Sequence, residues 1–200
     1  MRHKLRFVVY IFIGIFFGFS SGMHAAESKK DTALLIIDVQ DFYFSGGRSE
    51  LVDPEPASLN AQKLLRRFRE EGMLVVHVRH SSEQGAEIHR NVRPTAGEKV
   101  VSKNHVNAFK ETDLLEYLRE HRIEKLVICG MMTHMCVEAA VRAARDYDFD
   151  VTLIHDACAT RALTFDDKEV SAAEVHLSTL SSLDRYYARV IDTEAFLKDF

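Results

Sequence analysis

Wholly apolar runs alternate with amphipathic stretches along most of this chain. Ala33-Leu34-Leu35-Ile36-Ile37 carries no polar residue and stops at Asp38. A similar texture returns at Met73–Val78, Leu126–Cys129 and Val151–Ile154. Runs without polar alternation suit strands buried on both faces, as in a parallel sheet. Shorter runs at Lys99–Ser102 and Ala188–Ile191 predict two further strands. Between the runs, apolar residues recur near helical spacing. Leu59, Leu64, Leu65 and Phe68 do so within Ser58–Glu70, and Leu114, Leu115 and Leu118 within Thr112–His121. Val137, Val141 and Ala144 mark His134–Tyr147, and Val170, Ala173, Leu177 and Leu180 mark Lys168–Asp184. Strands alternating with helices predict a three-layer α/β domain with a mainly parallel sheet and right-handed crossovers. The long stretch Arg79–Glu98 reads as a loop, and loops of that length are often functional.

The N-terminus follows a different pattern. Arg2, Lys4 and Arg6 precede the apolar run Phe7–Phe19, and Ser20-Ser21-Gly22-Met23-His24-Ala25-Ala26 follows. Basic, greasy and small residues in that order describe a secretory signal peptide over residues 1–26. The run is shorter than the roughly 20 residues of a membrane-spanning helix. Cleavage is expected between Ser21 and Glu27, with an uncleaved anchor as the alternative and membrane association only in that case. Residues 27–200 then form one domain, exported to a periplasm or secreted. Without the three leading cations that domain carries 23 basic and 30 acidic side chains, net −7. No basic stripe exists, so nucleic acid is excluded as a partner. A small molecule is the expected ligand.

Three cysteines, Cys129, Cys136 and Cys158, cannot all pair within one chain. No CxxC motif points to thiol-disulfide exchange, and a free thiol kept in an oxidising compartment suggests chemistry. In open α/β sheets ligands bind beyond the carboxyl ends of the strands. Asp38, Lys103 and Cys136 all fall there. Thr133 reads as a helix N-cap, which puts Cys136 in a first helical turn, where the dipole and unpaired N–H groups lower a thiol pKa and hold an oxyanion. Cys129 reads as core. Each residue also has a plainer reading: a buried apolar cysteine, a loop-bonding aspartate, a solvated lysine. Their combination carries the weight.

Asp38-Val39-Gln40, Lys103-Asn104-His105-Val106-Asn107-Ala108-Phe109 and Gly130-Met131-Met132-Thr133-His134-Met135-Cys136-Val137, in that order, resemble the isochorismatase-like cysteine hydrolases, which include nicotinamidases and related amidases. Asp156-Ala157, Thr160 and Val190-Ile191 fit the same pattern, and the resemblance spans residues 32–197. It implies a Rossmann-like fold with a six-stranded, mainly parallel sheet, commonly built into homo-oligomers. It implies Asp38 as general base, Lys103 as electrostatic partner and Cys136 as nucleophile. It also implies a cis peptide between Met131 and Met132 that turns the backbone N–H groups of Met132 and Cys136 toward an oxyanion.

The chain departs from the family in places. The Asp38–Phe42 stretch is one residue short of the commoner form, and Asp148 stands where glycine is frequent, a position Asp tolerates in the left-handed region. The metal-binding histidine pattern of nicotinamidases is not matched by His77, His80 and His89, which read as solvated or hydrogen-bonded. No metal or cofactor is expected. Phe42, Tyr43, His80, Phe109 and His134 are the candidate pocket residues. The expected reaction is hydrolysis of an amide, ureide or carbamoyl C–N bond through a thioester. The alternatives are vinyl-ether hydrolysis of the isochorismatase type, which uses no thiol, and a nonenzymatic binding protein. Nucleotide-dependent redox chemistry is a weaker alternative still, since no Gly-x-Gly-x-x-Gly follows the first strand.

Overall fold

The computed structural model describes residues 30–81 and 85–199. The proposed signal segment, residues 1–26, lies outside them. The described residues form eight strands: β1 (Thr32–Ile37), β2 (Leu74–His80), β3 (Lys99–Lys103), β4 (Lys125–Met131), β5 (Asp150–Ala159), β6 (Leu163–Phe165), β7 (Lys168–Val170) and β8 (Arg189–Ile191). Among the described residues five α-helices join them: α1 (Pro54–Glu70), α2 (Leu114–Glu120), α3 (Glu138–Asp146), α4 (Ala172–Leu183) and α5 (Thr193–Asp199). Six strands pair in the order β3-β2-β1-β4-β5-β8, every pairing parallel. The apolar runs match this geometry. Ala33 to Ile37 in β1 and Leu126 to Ile128 in β4 are central and are covered by helices on both faces.

The order of strands determines where a site can form. The chain lays β1, β2 and β3 in one direction, then returns to build β4, β5 and β8 on the other side of β1. Right-handed crossovers put α1 on one face and α3 and α4 on the other. A crevice therefore opens at the carboxyl ends of β1 and β4, where the winding reverses.

Helix α1 starts with Pro54, whose missing N–H is harmless at a helix start. Its apolar stripe buries Leu64, Leu65 and Phe68 completely, each contributing about 1.5–3 kcal/mol of transfer free energy. Asp156 on β5 ties both ends of the fold to the sheet. Its Oδ1 accepts hydrogen bonds from the Thr193 N–H (2.8 Å) and hydroxyl (2.7 Å), and its Oδ2 accepts from Asn60 Nδ2 at 3.0 Å.

Gly130 in β4 has a specific steric role. It pairs with Ile37 of β1 at φ 133°, and a Cβ there would lie 2.0 Å from the Ile37 carbonyl oxygen. Only glycine allows the two strands to approach so closely just before the site. Asp148, at φ 70°, takes the left-handed conformation expected of it.

One element departs from the sequence expectation. Lys168–Val170 is not the start of a helix but β7, antiparallel to β6. Asp166 and Asp167, at φ 50° and 58°, form the two-residue turn, a conformation that suits hairpins. Helix α4 begins after Ser171, whose hydroxyl accepts the Glu174 N–H while Glu174 accepts the Ser171 N–H, a capping box. Among the described residues no helix is long and apolar enough to cross a membrane.

Candidate active site

Asp38, Lys103 and Cys136 meet in the interior at the ends of three different elements. Asp38 leaves β1 at φ 49°, its N–H donating to the Val78 carbonyl at 2.9 Å. Its side chain is fully buried. Lys103 closes β3, with β2 lying between it and β1. Two strand spacings amount to about 10 Å, a gap that only a long side chain spans. The ammonium reaches Asp38 Oδ2 at 2.7 Å and donates to Cys136 Sγ at 3.2 Å. The Asp38 carboxylate thus faces both the Lys103 ammonium and the Cys136 thiol.

Cys136 sits on a turn that departs from the expected helix start. Thr133–Val137 is a π-helical turn leading into α3, and the Met131–Met132 peptide before it is cis. Wide turns of this kind occur often at functional sites. Thr133 does not cap a helix. Its hydroxyl instead contacts the Ala159 carbonyl and His176.

Electrostatics correct a second expectation. Burial, reinforced by the charge of Asp38, pushes the Cys136 thiol up to about 12, and Lys103 only partly opposes this. The thiol is therefore protonated at rest rather than a free thiolate. Burial also raises the Asp38 carboxyl above its usual range despite the attraction of Lys103. A carboxylate with raised proton affinity is a better base than an ordinary one. The arrangement can pass the Cys136 proton to Asp38 while Lys103 balances the negative charge that forms on sulfur.

The surrounding residues divide into two groups. Tyr43 is buried with its phenol shifted upward, first by burial and then by the nearby Asp38 and Cys136; Arg161 and Arg48 act in the opposite sense. Phe42 meets Tyr43 edge-on at 4.3 Å, with the Arg48 guanidinium 5.1 Å over its ring. His80, at the end of β2, has a buried Nδ1 without a partner, and burial followed by Lys103 lowers its pKa. His134 Nδ1 lies 2.5 Å from Thr160 Oγ1. Phe109 belongs elsewhere. It packs against Tyr147 and Phe149, the rings that precede β5 at the far end of the sheet.

Of the two readings offered for His77 and His89, the hydrogen-bonded one holds. His77 is buried, with Nε2 3.0 Å from Glu98 Oε2, and His89 accepts the Asn91 N–H while stacking on Phe44 at 3.6 Å. All three cysteines are free and buried, and Cys158 lines a separate cavity. Among the described residues no three His, Cys, Asp or Glu side chains are grouped to hold a metal.

Sequence reading missed three contributors. Gln40 is fully buried; its Oε1 accepts the His80 N–H at 2.8 Å, and its Nε2 donates to the His80 and Ala86 carbonyls. Its position two residues after Asp38 was the available signal. Arg48 and Arg161 carried none, because both are exposed arginines in loops. Both bear on Tyr43, and the segments that carry them are joined where the Val52 N–H donates to the Thr160 carbonyl at 3.0 Å.

Comparison with known proteins places the fold in a family. An isochorismatase domain model matches residues 32–195. The uncharacterized isochorismatase family protein YddQ of Bacillus subtilis strain 168 is 44% identical over 178 residues, covering 84% of this chain and 99% of YddQ. A streptothricin hydrolase of Streptomyces noursei is 35% identical over 145 residues, 68% of this chain and 57% of that protein. A solved structure from Oleispira antarctica, assigned to the isochorismatase hydrolases, superposes with a TM-score of 0.82 at 42% identity, covering 85% of this chain and 97% of that one. Family model, sequence relatives and solved structures agree, and the chain belongs to the isochorismatase family of hydrolases.

Proposed function

We propose that this protein hydrolyses a C–N bond of a small amide, ureide or carbamoyl compound through a thioester on Cys136. The observation that carries this reading is the contact of Lys103 Nζ with both Asp38 Oδ2 (2.7 Å) and Cys136 Sγ (3.2 Å) in a buried setting. Asp38 takes the thiol proton as sulfur attacks the carbonyl carbon. The backbone N–H groups of Met132 and Cys136 hold the resulting oxyanion, and Lys103 offsets charge on the carboxylate and sulfur. The tetrahedral adduct collapses, and the proton held by Asp38 passes to the leaving nitrogen. A water molecule, deprotonated by Asp38, then attacks the thioester, and the acid leaves as sulfur recovers its proton.

The thiol shift gives this scheme its logic. A thiol pushed up to about 12 stays protonated until substrate arrives, so proton transfer and attack are coupled. Thiolates of higher basicity are also intrinsically stronger nucleophiles. We further propose that the protein acts outside the cytoplasm, on the basis of its basic, apolar and small-residue leader over residues 1–26.

The test is a screen of purified protein for ammonia release from small amides, ureides and carbamoyl compounds, with intact-mass measurement during turnover. A mass increment on Cys136 matching the acyl group is expected, and Cys136→Ala should lose both increment and turnover. Full turnover by Cys136→Ala would sink the thioester scheme. Pyruvate release from isochorismate by that variant would point instead to vinyl-ether hydrolysis.

A further inference from the structure

Thr133 opens the turn that carries Cys136, and it is completely buried. Its hydroxyl has two neighbours: the Ala159 carbonyl oxygen at 3.3 Å and His176 Nδ1 at 2.9 Å. Ala159 ends β5 and pairs with Met131, the last residue of β4 before the turn. His176 comes from α4, half-buried, beside a cavity of about 250 Å³ that Ala57, Cys158 and Ala172 also line.

Proton counting shows what the imidazole contributes. A hydroxyl has one proton to donate, and the Ala159 carbonyl can only accept. If Nδ1 is bare, it competes with Ala159 for that proton and one of the two contacts is lost. If Nδ1 carries a proton, it donates to Thr133 Oγ1, and the hydroxyl proton is free for Ala159. Both bonds then form, and the turn is fixed to β5 and α4 at once. Burial, together with His155, lowers the proton affinity of His176, which favours the neutral ring. In that ring the tautomer bearing the proton on Nδ1 completes the chain.

We propose that His176 is a positioning residue for the reaction: through the Thr133 hydroxyl it fixes the turn that holds Cys136 Sγ beside Lys103 Nζ. This rests on Cys136 being the nucleophile. His176 touches none of the reacting groups. Its influence passes through one buried hydroxyl to a sulfur–ammonium distance of 3.2 Å.

The test measures the alkylation rate of Cys136 by iodoacetamide, followed by peptide mass mapping so that Cys129 and Cys158 are scored separately. Thr133→Val and His176→Leu keep bulk and remove the hydrogen bond. Each should slow Cys136 alkylation about tenfold, the effect of about 1.4 kcal/mol from one buried bond. Thr133→Ser and His176→Asn, which restore a hydroxyl and a donor near Nδ1, should stay within about twofold of wild type. The Thr133→Val/His176→Leu double variant should be no slower than Thr133→Val alone, because both lie on one chain of bonds. Alkylation by His176→Leu at the wild-type rate overturns the proposal, as do losses that multiply in the double variant or an Asn variant as slow as Leu. Rates are read at pH 10, where part of the thiol is ionised, and a Cys136→Ala protein that keeps full turnover defeats the nucleophile reading itself, which separates the two failures. Should His176→Leu not fold, Thr133→Val against Thr133→Ser and His176→Asn against wild type still decide the matter.

Discussion

Lys103 Nζ stands 2.7 Å from Asp38 Oδ2, and neither side chain reaches solvent. Removing one member of such a pair leaves the other charge buried without compensation, at a cost of about 3–5 kcal/mol. Lys103→Met should therefore lower the urea midpoint sharply and also abolish turnover. Asp38→Asn should abolish turnover as well, since the base is gone. Equilibrium urea unfolding followed by circular dichroism, alongside ammonia release, checks both. A Lys103→Met protein as stable as wild type would mean that the ion pair is not isolated from water.

The thiol shift predicts how stability responds to alkali. In the unfolded chain Cys136 ionises near its ordinary value of 9.0, whereas in the fold it ionises at about 12. The folded state holds its proton more tightly, so this contribution is fully present below pH 9 and lost as pH rises toward 12. Cys136→Ser lacks the group and should lose less stability over that window. Urea midpoints of the two proteins from pH 8 to 11 give the comparison. Parallel curves would contradict the shift.

Glu98 shows the opposite sign. Burial works against its ionisation, but hydrogen bonds from Arg69, the Thr95 N–H and His77 hold its carboxyl at about 2. Its contribution is present above pH 4.5 and lost as pH falls toward 2. Glu98→Gln should be less stable than wild type at pH 7, with the difference shrinking through pH 4 to 2.5. Thermal melts across that range measure it. A constant gap would mean that the charge of Glu98 is not what matters.

Gly130→Ala is expected to be among the most damaging single changes. The added Cβ would lie 2.0 Å from the Ile37 carbonyl oxygen, and neither strand can move without disturbing Asp38 or the Cys136 turn. Expression with urea unfolding should show a loss of several kcal/mol, in the range of severe overpacking at a special backbone position. Wild-type stability would show that β1 and β4 can separate at little cost.

The two aromatic groups should behave differently under truncation. Phe109→Ala removes a buried ring far from the cysteine and should cost about 3–5 kcal/mol of stability with KM unchanged. Tyr43→Phe removes only a hydroxyl beside Asp38 and Cys136 and should change kcat or KM with little effect on melting. Steady-state kinetics with paired melts separates them. The reverse pattern would move the pocket to the other end of the sheet.

The sequence revealed what two-sided burial produces. Central strands such as β1 and β4 appear as unbroken apolar runs because no face of them meets water, and residues just past their ends could be picked out as candidates. The Asp38, Lys103 and Cys136 contact was expected from motif order rather than from distance. Less visible was anything set by partners far along the chain. Val170 is in helical register with Ala173 and Leu177, yet the Asp166-Asp167 turn pairs it with Leu163. The true helix start carries a local signal in the Ser171–Glu174 capping box. Thr133 looked like a cap because the sequence does not show Ala159 and His176, which lie 26 and 43 residues away, beside it. The raised thiol followed the same rule, since desolvation is a property of the assembled interior.

The Val52–Thr160 contact has an evolutionary consequence. One backbone hydrogen bond joins the loop bearing Arg48 to the segment bearing Arg161, while Asp38, Lys103 and Cys136 are anchored at strand ends and in a buried turn. Changes at exposed Arg48 or Arg161 thus disturb little of the packed interior, and lineages carrying this fold can vary there more freely than at buried Asp38, Lys103 and Cys136.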